Sequence, residues 1–519
     1  MRACEERSAA LGVPPEILMD RAGSSVAQLA AQLLERQPSS VLVLVGPGNN
    51  GGDGLVAARY LRESGFAAVC YVWHRSAEGD RVREAATAAG VPVVLAEADP
   101  DRSRLRELVG RSALIVDALL GTGLSRPLSE ELRDILSLVA TERGRRPLLA
   151  VDVPTGLNSD TGAVDEATVP ANVTITLGHA KAGLFVMPGA RYAGRVVIGD
   201  IGLPPGCEVE SLAELLDAQT VAGLLPKRPA VGHKGTFGKV LVVAGSPNYV
   251  GAAALACQAA YRAGTGLVTL ATARQLHPIL AGKLTETTFL PLPEEEPGVL
   301  GPEAVPDVLT ALGGYDAVLV GPGLGRHYGT AALVMDVVRS YAEDRLQGAP
   351  LPLLILDADA LNALAGVRAW WQGLGPRAVV TPHPGEMARL LRGTVAEVES
   401  DRIAVASGAA ADWGLVVVLK GAYTVVASPE GRPVVSPIAT AALATAGSGD
   451  VLAGALAGLA AQGLSARDAA LAAVYLHGRA GELLAAEVGD AGGVAGDLLP
   501  LLPRVQRELR GTLHRSDTA

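Results

Sequence analysis

The feature that most constrains this chain is an alternation of short apolar runs with longer Ala-rich stretches of helical spacing. Val41–Val45, Ala68–Trp73, Leu114–Asp117, Leu148–Val153 and Val173–Leu177 are the first set of runs. Val240–Ala244, Leu267–Ala271, Ala317–Val320, Leu353–Asp357, Ala378–Thr381 and Leu415–Leu419 are the second. Continuous rather than alternating apolar runs predict strands buried on both faces, hence parallel α/β sheets flanked by helices. The chain has 519 residues, too many for one core, and at 49% hydrophobic each half can build its own. Between Ile201 and Pro229 the texture shifts to a short amphipathic stretch with prolines at both ends, which predicts a domain junction. The expected domains are residues 1–218 and 219–510.

The net charge of -10 argues against a nucleic-acid binder but not against a single nucleotide, which backbone amides and one Lys can hold. Val451–Ala461, the greasiest stretch, is about half of the roughly 20 residues a membrane span needs. The opening MRACEERSAA is charged, unlike a signal peptide. Cys4, Cys70, Cys207 and Cys257 lie far apart without Cys-x-x-Cys, so neither zinc spacing nor a disulfide framework is expected. These features predict a cytoplasmic protein without membrane or nucleic-acid partners. The charged tail after Leu502 is expected to fray at its end.

In the first half a strand runs into GPGNNGGDG at 46–54 and then a helix. Gly46, Gly48 and Gly51 satisfy G-x-G-x-x-G, which fits either a dinucleotide site or a tight strand-to-helix turn. His74 and Arg75 stand where a dinucleotide site has its acidic residue. Asn49, Asn50 and Asp53 add amides and a carboxylate. Asp117 and Asp152 each close an apolar strand, so three polar loops are expected to converge at one sheet edge, where open parallel sheets bind ligands.

Together with LMDRAG at 18–23, the stretches DALLGTGL and VDVPTGLNSDTG make residues 1–218 similar to the NAD(P)H-hydrate epimerase (YjeF N-terminal) domain, a Rossmann-like three-layer sandwich. The resemblance implies that Asn49, Asn50, Gly51, Gly52 and Asp53 form a loop touching the hydrated nicotinamide. It adds Gly121, Thr122, Gly123, Leu124, Ser125, Arg126, Pro127 and Asp152 as substrate contacts. It implies a potassium ion (K+) held by Asn50, Asp117 and Thr155, a residue where the family commonly has Ser. Oxygen ligands of low total charge suit a monovalent ion better than zinc. Asp152 is the expected acid/base, with Lys181 as its partner.

In the second half, ATAGSGDVLAGALAGLAA at 444–461 is a small-residue turn opening an apolar helix. Free amides at such a helix start form an anion hole, which the helix dipole strengthens. Asp450 at its mouth has the chemistry of a general base for phosphoryl transfer. Lys420 closes a buried strand, His383 sits between prolines at another, and Asp357, Asp359 and Asn362 lie near the same edge. GPGLG at 321–325 is a second glycine turn. A kinase of a small alcohol and a scaffold with a decayed first half are competing readings.

HKGTFGKVLVVAGS, VLVGPGLG, LDADALNAL, TPHPGEMARL and GSGDVLAG occur in order over about 226–505. They resemble the ADP/ATP-dependent NAD(P)H-hydrate dehydratases, ribokinase-like α/β domains. The resemblance implies substrate contacts at Ala253, Gly323, His383 and Asp450. It implies adenylate contacts at Lys420, Gly421, Ala422, Tyr423, Thr424 and Gly449. Ala446 stands where the family commonly has a glycine. The implied enzyme is bifunctional and interconverts the R and S forms of hydrated NADH and NADPH. It then dehydrates the S form with ADP and Mg2+, giving AMP and phosphate. A homo-oligomer is expected.

Overall fold

A computed structural model of the protein describes residues 2–123, 127–207, 211–343 and 351–516. The chain divides into two compact units between Ser211 and Leu212.

In the first unit seven strands form one sheet: β1 (Ser40–Val45), β2 (Ala67–Val72), β3 (Val93–Leu95), β4 (Leu114–Ala118), β5 (Leu148–Val151), β6 (Val173–Leu177) and β7 (Arg195–Gly199). Their order is β3-β2-β1-β4-β5-β6-β7. Every neighbouring pair is parallel. Successive side chains of a strand point to opposite faces. Val41, Val43 and Val45 therefore join one core with helices Pro15–Leu33 and Asn49–Glu63. Leu42 and Leu44 join another with helices Ser103–Arg111 and Glu130–Glu142. The result is the expected three-layer sandwich, with its strand order reversing between β1 and β4. The apolar runs do not reveal β3 or β7, because β3 is short and half-buried and β7 is an edge strand with exposed Arg195 and Ile198.

The second unit carries β8 (Glu214–Leu215), β9 (Lys239–Val243), β10 (Leu267–Ala273), β11 (Thr288–Leu292), β12 (Glu294–Glu296), β13 (Val299–Leu300), β14 (Ala317–Val320), β15 (Leu353–Leu356), β16 (Ala378–Val380), β17 (Val416–Leu419), β18 (Val425–Ala427) and β19 (Val434–Val435). The main sheet runs β11-β10-β9-β14-β15-β16-β17-β18-β19-β8. It is parallel from β11 to β17, then antiparallel through β18 and β19. Here too the order reverses, between β9 and β14. β12 and β13 form a separate antiparallel pair.

One expectation needs correction. The first domain was expected to run to residue 218, but β8 pairs with β19, and Asp217 caps helix Ala218–Leu224 of the second unit. Sequence texture cannot see a two-residue strand whose partner lies in a distant part of the chain. The last residues of the tail after Leu502, where fraying was expected, lie outside the described residues. The rest of the tail continues helix Ala495–Ser516, where Leu498, Leu502, Val505 and Leu509 are buried at helical spacing. Gln506 Nε2 donates to Arg262 O at 3.0 Å.

Helix Ser448–Ala461 packs closely on helix Val250–Ala263 through Gly454 and Gly458. Among the described residues no helix is long and apolar enough to cross a membrane.

Candidate active sites

In the first unit the loops after β1, β4 and β5 meet at the reversal of strand order. β1 ends at Val45, and the chain turns through Gly46–Gly48 into helix Asn49–Glu63. The turn needs glycine for close approach: a Cβ on Gly46 would lie 1.7 Å from Leu119 O, and one on Gly51 2.0 Å from Gly46 O. Asn49, Asn50, Gly51, Gly52 and Asp53 are the first turn of that helix rather than a loop. Arg75 holds the preceding turn, with Nη1 donating to Gly48 O at 2.7 Å and Nε to Asp80 at 2.5 Å. The basic residue found in place of a ribose-binding acid is thus a structural strut.

Asp117, buried at the end of β4, accepts from the Thr155 hydroxyl at 2.6 Å and the Thr155 amide at 2.8 Å. Burial raises its carboxyl above the ordinary range, and those bonds oppose the rise. The buried Asn50 side chain lies against Gly121, and neither its oxygen nor its nitrogen has a hydrogen-bond partner. Asp152 follows β5 with φ at +67°, in the left-handed region that costs a non-glycine residue free energy. Its carboxylate meets Lys181 Nζ at 2.5 Å, and that ammonium also donates to Leu177 O at 2.7 Å. Asp53 is buried, and desolvation, then the charge of Asp152, push its carboxyl well upward.

These groups line a cavity of about 890 Å³. Asn49, Asn50, Asp53, Gly121, Thr122, Gly123, Pro127, Asp152 and Lys181 face it, joined by Met19 and Glu5. Leu124, Ser125 and Arg126 lie outside the described residues. Asp117 and Thr155 are not in the cavity wall; they stand behind it as a hydrogen-bonded pair.

In the second unit the strand ends again supply the polar groups. Asp357, buried after β15, accepts from Thr381 Oγ1 and from Lys420 Nζ, both at 2.7 Å. Lys420 Nζ is also 3.8 Å from Glu386. A Cβ on Gly449 would lie 3.5 Å from that ammonium, so Lys420 sits at the start of helix Ser448–Ala461. Gly447 caps the helix with φ at +91°. Burial, then the charges of Asp357, Asp359 and Glu386, push the Asp450 carboxyl up to about 7, against the pull of Lys420. Asp359 accepts from the Gly325 amide at 2.8 Å and from Asn362 at 3.2 Å.

The remaining expected contacts sit around this centre in different ways. His383 caps helix Pro384–Leu391, its Nδ1 accepting from the Gly385 amide, with half its side chain exposed. Gly321 Cβ space is closed by Asp357 O, and Gly323 packs on Tyr249 at φ +60°. Ala253, expected as a substrate contact, is fully buried on helix Val250–Ala263, backbone and side chain alike. Gly421, Ala422, Tyr423 and Thr424 form a tight turn in which Thr424 Oγ1 donates to Gly421 O at 2.8 Å.

Three residues here escape sequence reasoning. Arg402 is buried beneath the turn and donates to Leu419 O and Lys420 O, both at 3.0 Å. Glu386 faces Lys420; its one local signal is its place three residues after the His383 cap. His477, buried in helix Ala466–Val488 near Ser448, has its imidazole pushed down to about 4 by burial, so it is neutral.

Comparison with known proteins bears on both units. The family described as NAD(P)H-hydrate dehydratase matches residues 240–503, and that described as YjeF-related protein N-terminus matches 15–183. The bifunctional NAD(P)H-hydrate repair enzyme Nnr of Moorella thermoacetica is 39% identical, covering 96% of this chain and 93% of that protein. Its Coxiella burnetii counterpart is 34% identical, covering 97% of each. A solved ribokinase-like superfamily protein from Enterococcus faecalis, 24% identical, has a TM-score of 0.50 over 58% of this chain and 98% of its own. It shares the fold of the C-terminal part.

Proposed function

This chain belongs to the bifunctional NAD(P)H-hydrate repair enzymes, and from that premise we propose how its own residues divide the work. The enzyme epimerises hydrated NAD(P)H and dehydrates it back to NAD(P)H. We assign epimerisation to the cavity of the first unit and dehydration to the Asp450 centre of the second.

The carrying observation is the Asp450 centre: a carboxyl pushed up to about 7 at a glycine-rich helix start beside the Lys420 ammonium. Hydroxide is a poor leaving group and phosphate a good one. Asp450 takes the proton of the C6 hydroxyl, and the freed oxygen attacks the terminal phosphorus of ADP as AMP departs. The amides at Gly449 and the Lys420 ammonium stabilise charge on the transferring group. The ring-nitrogen lone pair then expels phosphate, and loss of the neighbouring ring proton restores the double bond. The turn from Gly421 to Thr424 carries the adenylate, and Gly323 and His383 contact the hydrate. Magnesium suits this centre, because Asp357, Asp359, Glu386 and Asp450 are hard oxygen donors and the charges of the first three raise the proton affinity of Asp450. It would supply charge neutralisation between the phosphates.

In the first unit Asp152, paired with Lys181, assists departure of the C6 hydroxyl, and water returns on the other face. Asp53, whose carboxyl is pushed well upward by burial and then by the charge of Asp152, faces the substrate beside them. A potassium ion fits Asn50, Asp117 and Thr155, because the buried Asn50 amide has no partner within the protein. It would supply fixed positive charge behind the cavity. A cytoplasmic setting and a homo-oligomeric state complete the reading; light scattering after gel filtration reads the latter.

The test is to mix the protein with separated R and S forms of hydrated NADH, ADP and Mg2+, and follow the absorbance of reduced nicotinamide. Both epimers should be consumed, with one AMP formed per NADH. Accumulation of a stable phosphorylated hydrate would instead indicate a kinase.

A further inference from the structure

Away from the residues given roles above, the first unit brings together three side chains that lie far apart in sequence. Cys4 is on the opening helix Arg2–Ala10, His179 follows β6, and Cys207 lies in an irregular segment near the end of the unit. Their ligand atoms all fall within 4.8 Å of one another. Cys4 Sγ is 2.8 Å from Cys207 Sγ and 3.8 Å from His179 Nε2. Both thiols are buried, and the imidazole is exposed.

We propose that Cys4, His179 and Cys207 form a binding site for a soft divalent transition-metal ion, with Zn2+ as the matching species. Two sulfurs and one imidazole nitrogen are the donors such ions select over magnesium or potassium. Tetrahedral Zn–S bonds of ~2.3 Å set the two sulfurs ~3.8 Å apart, and a sulfur and a nitrogen ~3.6 Å apart. The Cys4–His179 separation already fits. The sulfurs must part by about 1 Å, and Cys207 is in neither a helix nor a strand that would resist this. The exposed side of His179 leaves the fourth corner to water. A simple disulfide would leave the adjacent imidazole unused.

The site has a defined neighbourhood. Glu5, next to Cys4, and Lys181, two residues beyond His179, both line the epimerase cavity. An ion here clips the opening helix to the end of β6 and fixes those two side chains relative to each other. Metal occupancy thereby steadies the cavity without entering it.

The test uses the full chain, free of purification tags, stripped with chelator and kept reduced. Titration with Co2+ should give one equivalent of thiolate-to-cobalt charge-transfer absorption, displaced by Zn2+. Cys4→Ser and Cys207→Ser should abolish it, and Cys70→Ala should retain it. His179→Ala should weaken Zn2+ binding by roughly tenfold or more, at least the cost of losing a supporting group at a metal site. A cooperative first-unit transition in scanning calorimetry, assigned with the isolated fragment beginning at Leu212 as reference, reports that each variant is folded. Absence of the band, or its survival in Cys207→Ser, would overturn the proposal. So would mass spectra showing a Cys4–Cys207 disulfide together with no metal uptake after reduction.

Discussion

Asp450 is the residue on which most of the chemistry turns. Asp450→Asn keeps the shape and removes the proton acceptor, so turnover should fall by ~10²–10⁴-fold. ADP should still bind in a calorimetric titration, because the amides and Lys420 are untouched. Lys420→Ala should show the reverse pattern, with weakened ADP binding. As a base with its carboxyl near 7, Asp450 is active when deprotonated. The kcat/KM for dehydration should therefore rise with pH and level off above about pH 8. The same shift has a sign for stability. A carboxyl raised in the fold binds more protons folded than unfolded, between the ordinary carboxylate range and about 7. Stability therefore falls as pH rises through that window. Asp450→Asn should melt above wild type near pH 8, by a gap that closes toward about pH 4. In the first unit Asp117→Ala should slow epimerisation and leave S-epimer dehydration intact. Unchanged R-epimer consumption across potassium concentrations would remove the ion assignment.

At the scale of elements, the two helices that open at the sites are set by glycine, for different reasons. Gly46 permits backbone contact between the β1 turn and the β4 loop, and Gly51 lets the helix start close on Gly46. Gly454 does the same between helices, since a Cβ there would lie 2.2 Å from Ala256 O. That obstacle is backbone and cannot rotate away. Gly454→Ala should lower the thermal midpoint, at a cost of roughly 1–3 kcal/mol, despite alanine's better helix propensity. A differential scan that found it as stable as wild type would count against this close packing. The motif at 49–53 was legible as a ligand-facing group, but not as a helical turn. Two adjacent glycines lower helix propensity, and only the contacts on both sides of Asn49–Glu63 restore it. Strands buried on both faces were legible, because they are continuous apolar runs. The short strands β8, β18 and β19 were not, because their partners rather than their composition define them.

The whole molecule divides at a point that matters for dissection. A fragment beginning at Leu212 keeps β8 on β19 and the Asp217 cap. It should be soluble and dehydrate only the S epimer. A fragment beginning at Val221 loses that edge strand and the capped first turn of helix Ala218–Leu224, and should melt lower by scanning calorimetry. If the longer fragment were inactive on the S epimer, the two units would not be autonomous.

The linear order of residues was enough to establish two parallel α/β units, the strand ends that carry polar groups, and the family. Each of these follows from local patterns: apolar period, glycine turns and ordered motifs. It was also enough to single out Lys420, Asp117 and Asp152 as candidates, because a carboxylate or ammonium closing a buried strand is locally conspicuous, and Asp450, because it follows a glycine turn at a helix start. Proximity between distant segments decided the rest. Asp357 and Glu386 flank Lys420, the Asn50 amide is left without a partner, and Cys4, His179 and Cys207 meet although their spacing excludes any recognised metal motif. Burial and mutual charge, which set the Asp450 carboxyl near 7, come from side chains that follow three different strands and from a helix start. No window of sequence contains them together.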